Sequence, residues 1–304
     1  MSPYMADITD RKGRKIRIIF RDRAGSGKEL SGAVLNAALR VKISVPRIIR
    51  KAAGPGSFAG GCLVKTLCDK AIKEILGLEP VKAEIKFEKC RSFMLDVPAD
   101  IGNFLSDISG IIIENQYNFE DFKNAVVVDA GANIGLFSLY AGARGAGKVY
   151  AFEPVRETYG MLKSNISASH LGKVVSAVNA ALGAQRGTAR IKCNTRGEGS
   201  AMIAGGNSGV NEGVSYEQTR EVKILALDDL IRRKVDLIKI DVEGYEKNVL
   251  LGAARLIRKH KPVLSFSAYH RSADKKMLPK TVLGLRKDYK ITLNTFAEHD
   301  FYCE

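Results

Sequence analysis

The chain has 304 residues, 45% of them hydrophobic, which is enough to bury a sizeable core and excludes disorder along its whole length. Its formal net charge of +15 is unevenly placed: residues 1–100 carry 20 basic against 11 acidic side chains, residues 101–250 carry 17 of each, and residues 251–304 carry 11 against 5. Two basic flanks around a neutral middle attract phosphates, anionic sugars, nucleic acid or an acidic membrane surface, and a solvated lysine-rich surface explains them equally well.

The five cysteines, Cys62, Cys68, Cys90, Cys193 and Cys303, lack the close paired spacing of a thiolate metal site or redox motif, so a reducing, cytoplasmic setting is expected. The first residues are polar and charged, unlike a secretory signal. No run of about twenty apolar residues follows, so no transmembrane span is expected and peripheral membrane contact stays open.

Residues 1–80 read as a basic N-terminal extension, helical or partly flexible. They hold a basic cluster at 11–23, a basic amphipathic stretch at 34–51 broken by Pro46, a glycine-rich loop at 54–61 and helical spacing at 63–76. Residues 81–304 form the main domain, whose lead-in at 81–122 begins with strand-like alternation over 81–97. After Phe122 strands alternate with helices, the pattern of a doubly wound, mostly parallel α/β sheet. Strands are predicted at 125–129, 148–152, 174–179, 222–225, 235–241 and 263–266, and helices at 134–141, 155–167, 227–233, 245–258 and 275–286. Six glycines between 197 and 213 predict a long surface loop or a lid.

The sequence from Val126 to Gly135 runs an apolar strand into a glycine turn and then a helix. Such a turn points backbone N–H groups and the Asp129 carboxylate at the carboxyl end of a strand, where open parallel sheets bind ligands. Gly131 lets the main chain approach a ligand closely, Asn133 lies in the turn, and Gly135 lets the helix pack near the strand. The next strand ends in Glu153-Pro154, and a carboxylate 22 positions beyond Gly131 suits the two hydroxyls of a ribose. The loop departs from the G-x-G-x-x-G of dinucleotide sites. A carboxylate at its base would repel a pyrophosphate and attract a cationic sulfonium, unless Asp129 only caps the following helix. Asn179, at the third strand's end, either bonds an adenine edge or stabilises a turn.

A later strand ends in Lys239-Ile240-Asp241-Val242-Glu243-Gly244, placing two carboxylates beside the same crevice. Asp241 or Glu243 would take a proton from a substrate hydroxyl, orient it, or help bind a divalent cation. Lys239 lies on the same strand face as Asp241 and is expected to pair with it, whereas Glu246 is expected in solvent.

Together the segments Asp129–Gly135, Val149–Pro154, Leu227–Leu230 and Lys239–Gly244 resemble the FkbM family of S-adenosylmethionine-dependent methyltransferases, in the family's order and spacing, over roughly 111–304. The resemblance implies a class I methyltransferase (Rossmann-like) sheet with an antiparallel strand near its end, supplied by 290–293 and 301–303. It also implies S-adenosylmethionine held by Asp129, Gly131, Asn133, Gly135, Glu153 and Asn179, and methylation of hydroxyls on small-molecule or sugar acceptors, anionic ones included. Tyr245 stands where the family often has a small residue, and 262–270 ends in His270 where many members have a carboxylate. His270 is therefore a third candidate base after Asp241 and Glu243, with a pKa expected near neutrality, or else a surface or structural residue.

A divalent metal shared by Asp241 and Glu243 lacks an identified third ligand, so no metal site is assigned. Other readings stay open: a nucleic-acid methyltransferase gripping RNA through the basic flanks, an NAD-dependent oxidoreductase, and a non-catalytic binding protein on this fold. The sequence leaves the oligomeric state unassigned.

Overall fold

The computed structural model describes residues 4–9, 12–21, 82–88, 90–98, 103–104, 107–193, 201–203, 218–294 and 299–304. The helical stretches and the glycine loop expected between residues 34 and 76 lie outside them. The chain divides into two compact units, Met1–Glu114 and Asn115–Glu304.

In the first unit, β1 (Tyr4–Thr9), β2 (Lys15–Arg21), β3 (Lys82–Phe87) and β4 (Phe93–Asp96) form one antiparallel sheet in chain order. Ile16, Ile18, Ala83, Ile85, Phe93 and Leu95 are buried at alternate positions along their strands, the period-2 signature of a sheet with one covered face. The basic cluster expected in a helical or flexible extension therefore includes a strand, because in Lys15-Ile16-Arg17-Ile18 the charges mark the exposed face. The strand-like lead-in at 81–97 joins this sheet, so no boundary separates β1 and β2 from β3 and β4 at residue 80. Ile108–Ile113 coil into a π-helical turn.

The second unit is built on a seven-stranded sheet. Its strands are β5 (Val126–Ala130), β6 (Lys148–Phe152), β7 (Val175–Val178), β12 (Leu237–Ile240), β13 (Val263–Ser267), β14 (Ile291–Asn294) and β15 (Asp300–Cys303). Their spatial order is β14-β15-β13-β12-β5-β6-β7, parallel throughout except that β15 runs antiparallel to both neighbours. This is the mostly parallel sheet the sequence implies, except that the strand predicted at 222–225 lies outside it; of the closing strands, β14 is shifted by one residue and β15 begins one residue earlier.

Every residue of β5 and β12 is buried, as central strands covered on both faces must be. Each fully buried valine, leucine or isoleucine there contributes about 1.5–3 kcal/mol. The helices are α1 (Leu136–Ala143), α2 (Arg156–Ala168), α3 (Leu227–Leu230), α4 (Glu246–Gly252), α5 (Ala254–His260) and α6 (Asp274–Leu285). The single helix expected over 245–258 is two, divided at Ala253, a buried residue that ends α4 and starts α5.

A smaller sheet with the order β10-β9-β11-β8 was not anticipated. It comprises β8 (Ala181–Leu182), β9 (Gly187–Cys193), β10 (Ala201–Ile203) and β11 (Gln218–Leu225). β10 lies inside the glycine-rich stretch read as loop, and pairs antiparallel with β9 at Met202↔Lys192. Residues 194–200 and 204–217 lie outside the described residues.

From β5 the chain builds outward through β6 and β7, then returns to lay β12 and β13 on the other side of β5. The order reverses between β5 and β12, and the crevice outside the carboxyl ends of these two strands is where such sheets bind ligands.

Candidate functional site

At the end of β5 the chain turns sharply through Gly131, with φ +76°. A Cβ there would lie 1.9 Å from the Asp241 carbonyl oxygen, so the glycine admits the backbone at the end of β12. Gly131 and Ala132 donate their N–H groups to the Phe152 carbonyl at 3.1 and 2.9 Å, closing the turn against the end of β6. Gly135 has φ +99°, and a Cβ there would meet Leu162 of α2 at 2.6 Å, so it sets the approach of α2 to the start of α1.

Asp129 is fully buried. Its carboxylate receives Lys239 Nζ at 3.0 Å and the Ser138 hydroxyl at 2.7 Å. Lys239 also donates to the Gly131 carbonyl at 2.7 Å and lies 5.4 Å from the centre of the Tyr117 ring. Burial alone would push Lys239 down, but Asp129 and then Asp241 hold it above its ordinary value. The expected pair between Lys239 and Asp241 is thus replaced by one with Asp129, its register partner on the neighbouring parallel strand. Asp129 therefore does not stand as an open carboxylate drawing a cation, nor does it cap α1, which has no side-chain cap.

Glu153 lies at the end of β6 and accepts the Asn133 N–H on Oε2 at 3.0 Å and the Val155 N–H on Oε1 at 2.9 Å. Asn133 makes its bond from a left-handed backbone, φ 50°. Burial raises the Glu153 pKa to about 7, against the opposing pull of the two N–H donors and Lys239. Asn179 spends its side-chain amide on the Glu153 and Pro154 carbonyls at 2.9 and 3.0 Å, fixing the turn that carries Glu153.

Beyond β12 three carboxylates surround one imidazole. His270 is 3% exposed, with Nδ1 3.0 Å from Glu246 Oε1, and Nε2 3.6 Å from Asp241 Oδ1 and 3.4 Å from Glu243 Oε2. Glu246, 1% exposed, also accepts the N–H groups of Val242 and Gly244 on Oε1, at 3.2 and 3.0 Å. Asp241 Oδ2 receives the Tyr117 hydroxyl at 3.1 Å. Burial would lower the His270 pKa, but the bond and charge of Glu246, then Asp241 and Glu243, push it up to about 10. The value near neutrality expected for this histidine is thereby corrected: at pH 7 it carries a proton, and it is buried rather than on the surface. Glu246, expected in solvent, is the residue that holds it. Glu243 adopts φ 54°, left-handed for a residue that gains nothing from that conformation.

A family model, the methyltransferase FkbM domain, matches residues 129–301. The chain belongs to the FkbM methyltransferase family. It is similar to methyltransferase sdnD of Sordaria araneosa, 30% identical over 157 aligned positions, with 43% of this chain and 61% of the relative covered. Methyltransferase 1 of Beauveria bassiana (strain ARSEF 2860) is 26% identical over 161 aligned positions, with 47% of this chain and 64% of the relative covered. The chain spans about three-fifths of the length of these curated relatives. The crystal structure of methyltransferase FkbM from Methylobacillus flagellatus KT is 24% identical, with 64% of this chain and 47% of that one covered and a TM-score of 0.48.

On this FkbM-family frame the sheet brings Asp129, Gly131, Asn133 and Glu153 to one side of the crevice, and Asp241, Glu243 and His270 to the other. Tyr117 and Ser138 carry no signal in the sequence, and Glu246 reads there as a solvated residue. Tyr117 lies in an aperiodic segment, and Ser138 reads as one small residue on an apolar helix. Glu246 stands at the N-terminus of α4, where an acidic side chain ordinarily faces water and favours the helix dipole. Among the described residues no helix is long and apolar enough to cross a membrane.

Proposed function

We propose that this chain transfers a methyl group from S-adenosylmethionine to a hydroxyl oxygen of a small-molecule or sugar-containing acceptor. One observation carries the reading: the switch point of the sheet faces a desolvated carboxylate, Glu153, on one side and the Asp241–Glu243–His270 group on the other. Glu153 suits a ribose. Each of its oxygens takes one backbone N–H and keeps a lone pair for a hydroxyl donor. The charge suits a sulfonium, because Lys239 neutralises Asp129 while the imidazolium leaves an excess of negative charge among Asp241, Glu243 and Glu246.

S-adenosylmethionine supplies the activated methyl: its carbon–sulfur bond breaks with the electron pair staying on sulfur, an oxygen–carbon bond forms, and the hydroxyl gives up its proton. The residues of this chain then have three tasks. Glu153 and the Gly131–Asn133 turn hold the nucleoside end. Asp241 and Glu243 bind and align the acceptor hydroxyl and take its proton, since His270 already bears one at neutral pH. Tyr117 and Lys239 fix Asp241 and the turn.

Incubating the chain with methyl-labelled S-adenosylmethionine and a panel of phenols and sugars tests this reading. Label in an ether-linked product from the wild type, reduced at least 100-fold in Asp241→Asn, is the expected result. Label on nitrogen or carbon, or transfer unaffected by that substitution, would overturn it.

A further inference from the structure

We infer that Asp241, Glu243 and His270 form the binding site of one divalent metal cation, with Glu246 as its orienting outer partner. Assignment of a metal on sequence fails for want of a third ligand beside the two carboxylates, and β13 supplies it by delivering His270 into the crevice.

The observation that points to a ligand is an unsatisfied buried atom. His270 Nε2 has no hydrogen-bond partner, although its side chain is 4% exposed, and it is aimed between Asp241 Oδ1 and Glu243 Oε2. Separations of 3.6 and 3.4 Å are too long for good hydrogen bonds. Two donors each about 2.1 Å from one ion lie about 3.0–3.4 Å apart, so the separations of Nε2 from the two carboxylate oxygens are close to those of atoms sharing one ion. Binding displaces the Nε2 proton that His270 carries at neutral pH, while the other ring nitrogen, 3.0 Å from Glu246 Oε1, keeps its hydrogen, the carboxylate–histidine arrangement that fixes the tautomer of a metal-bound imidazole.

One donor atom each from Asp241, Glu246 and His270 lies within 4.8 Å of the others. Glu246 takes the outer role through Oε1, which already faces Nδ1 and two backbone N–H groups, while its buried Oε2 has no hydrogen-bond partner and is a fourth candidate donor. Tyr117 orients Asp241 in the same outer fashion through Oδ2. The side chains of Asp241 and Glu243 are each 25% exposed, so coordination positions on the crevice side remain open to water or a hydroxyl.

One imidazole with two carboxylates suits Mn²⁺, Fe²⁺ or Zn²⁺ better than the all-oxygen preference of Ca²⁺ or Mg²⁺. The role of the cation rests on the methyl-transfer reading, whereas its binding does not: it would hold the acceptor hydroxyl and acidify it, and with Asp241 and Glu243 engaged as ligands the proton would pass to water at the open side instead of to either carboxylate.

Titration of the full chain with Mn²⁺, followed by electron paramagnetic resonance, reads the site directly, with S-adenosylmethionine titrated calorimetrically after chelator treatment. One Mn²⁺ per chain is expected, with affinity reduced at least 10-fold in Asp241→Asn and in His270→Gln, and about 10- to 100-fold in Glu246→Gln. Should His270→Gln fold poorly, the partly exposed Asp241→Asn still decides. Absence of stoichiometric Mn²⁺ binding in the wild type, or unchanged affinity in Asp241→Asn, overturns the inference. Cofactor binding without Mn²⁺ binding sinks the metal site alone, and Mn²⁺ binding without cofactor binding sinks the methyl-transfer reading alone.

Discussion

Lys239 and Asp129 form a buried ion pair at 3.0 Å across adjacent parallel strands, with 4% and 0% of their side chains exposed. Removing one partner strands the other charge in the core. Asp129→Asn or Lys239→Met alone is expected to destabilise the domain by about 3–5 kcal/mol, whereas the double substitution recovers most of that loss. Urea unfolding of the three variants checks it. Equal losses in single and double variants would show that the pair is not a unit.

Glu153 titrates near neutrality, and only its ionised form accepts donors on both oxygens. Affinity for S-adenosylmethionine should therefore fall as pH drops through about 7, and Glu153→Gln should remove that dependence. The sign for stability is opposite. A carboxyl raised from 4.5 to about 7 favours the protonated folded state, so its contribution is complete below 4.5 and is lost as pH rises through about 7. Thermal melts of wild type and Glu153→Gln across that window should diverge, with the wild type losing more.

The left-handed backbone at Glu243 separates stability from function. Glu243→Gly and Glu243→Ala delete the same carboxylate, but only glycine relieves φ 54°. The glycine variant is expected to be more stable than the alanine variant by about 1 kcal/mol. Both should lose methyl transfer. Equal stability would mean that the backbone there relaxes when the side chain goes.

Gly131 has the opposite tolerance. A methyl group 1.9 Å from the Asp241 carbonyl cannot be placed without parting the ends of β5 and β12. Gly131→Ala should cost about 3 kcal/mol or more and abolish cofactor binding, a loss that chemical denaturation and calorimetry would register together.

These residues also show what the sequence could reveal. The strand, turn and helix at Val126–Ala143 are legible because apolar run, glycine punctuation and helical spacing are local signals. Glu153 is legible because it ends the next strand of the same unit. Side-chain period along its own strand points to Asp241 as the partner of Lys239. Strand register, which no local pattern reports, placed Asp129 opposite instead. Glu246 looked like an ordinary surface acid at a helix start, and only the return of β13 brings His270 over it. The alternation in β2 was hidden by its arginines and lysines, which read as a charge cluster before any partner strand was known.

In the proposed function, the crevice at the ends of β5, β6 and β12 holds S-adenosylmethionine through Glu153. Calorimetric titration of the full chain with S-adenosylmethionine and, separately, with NAD⁺, repeated on Glu153→Ala, tests it most directly. The expected result is one molecule of S-adenosylmethionine per chain, no heat from NAD⁺, and at least a 10-fold loss of affinity in the variant. Failure of the wild type to bind, tighter binding of NAD⁺, or equal affinity in Glu153→Ala would contradict it.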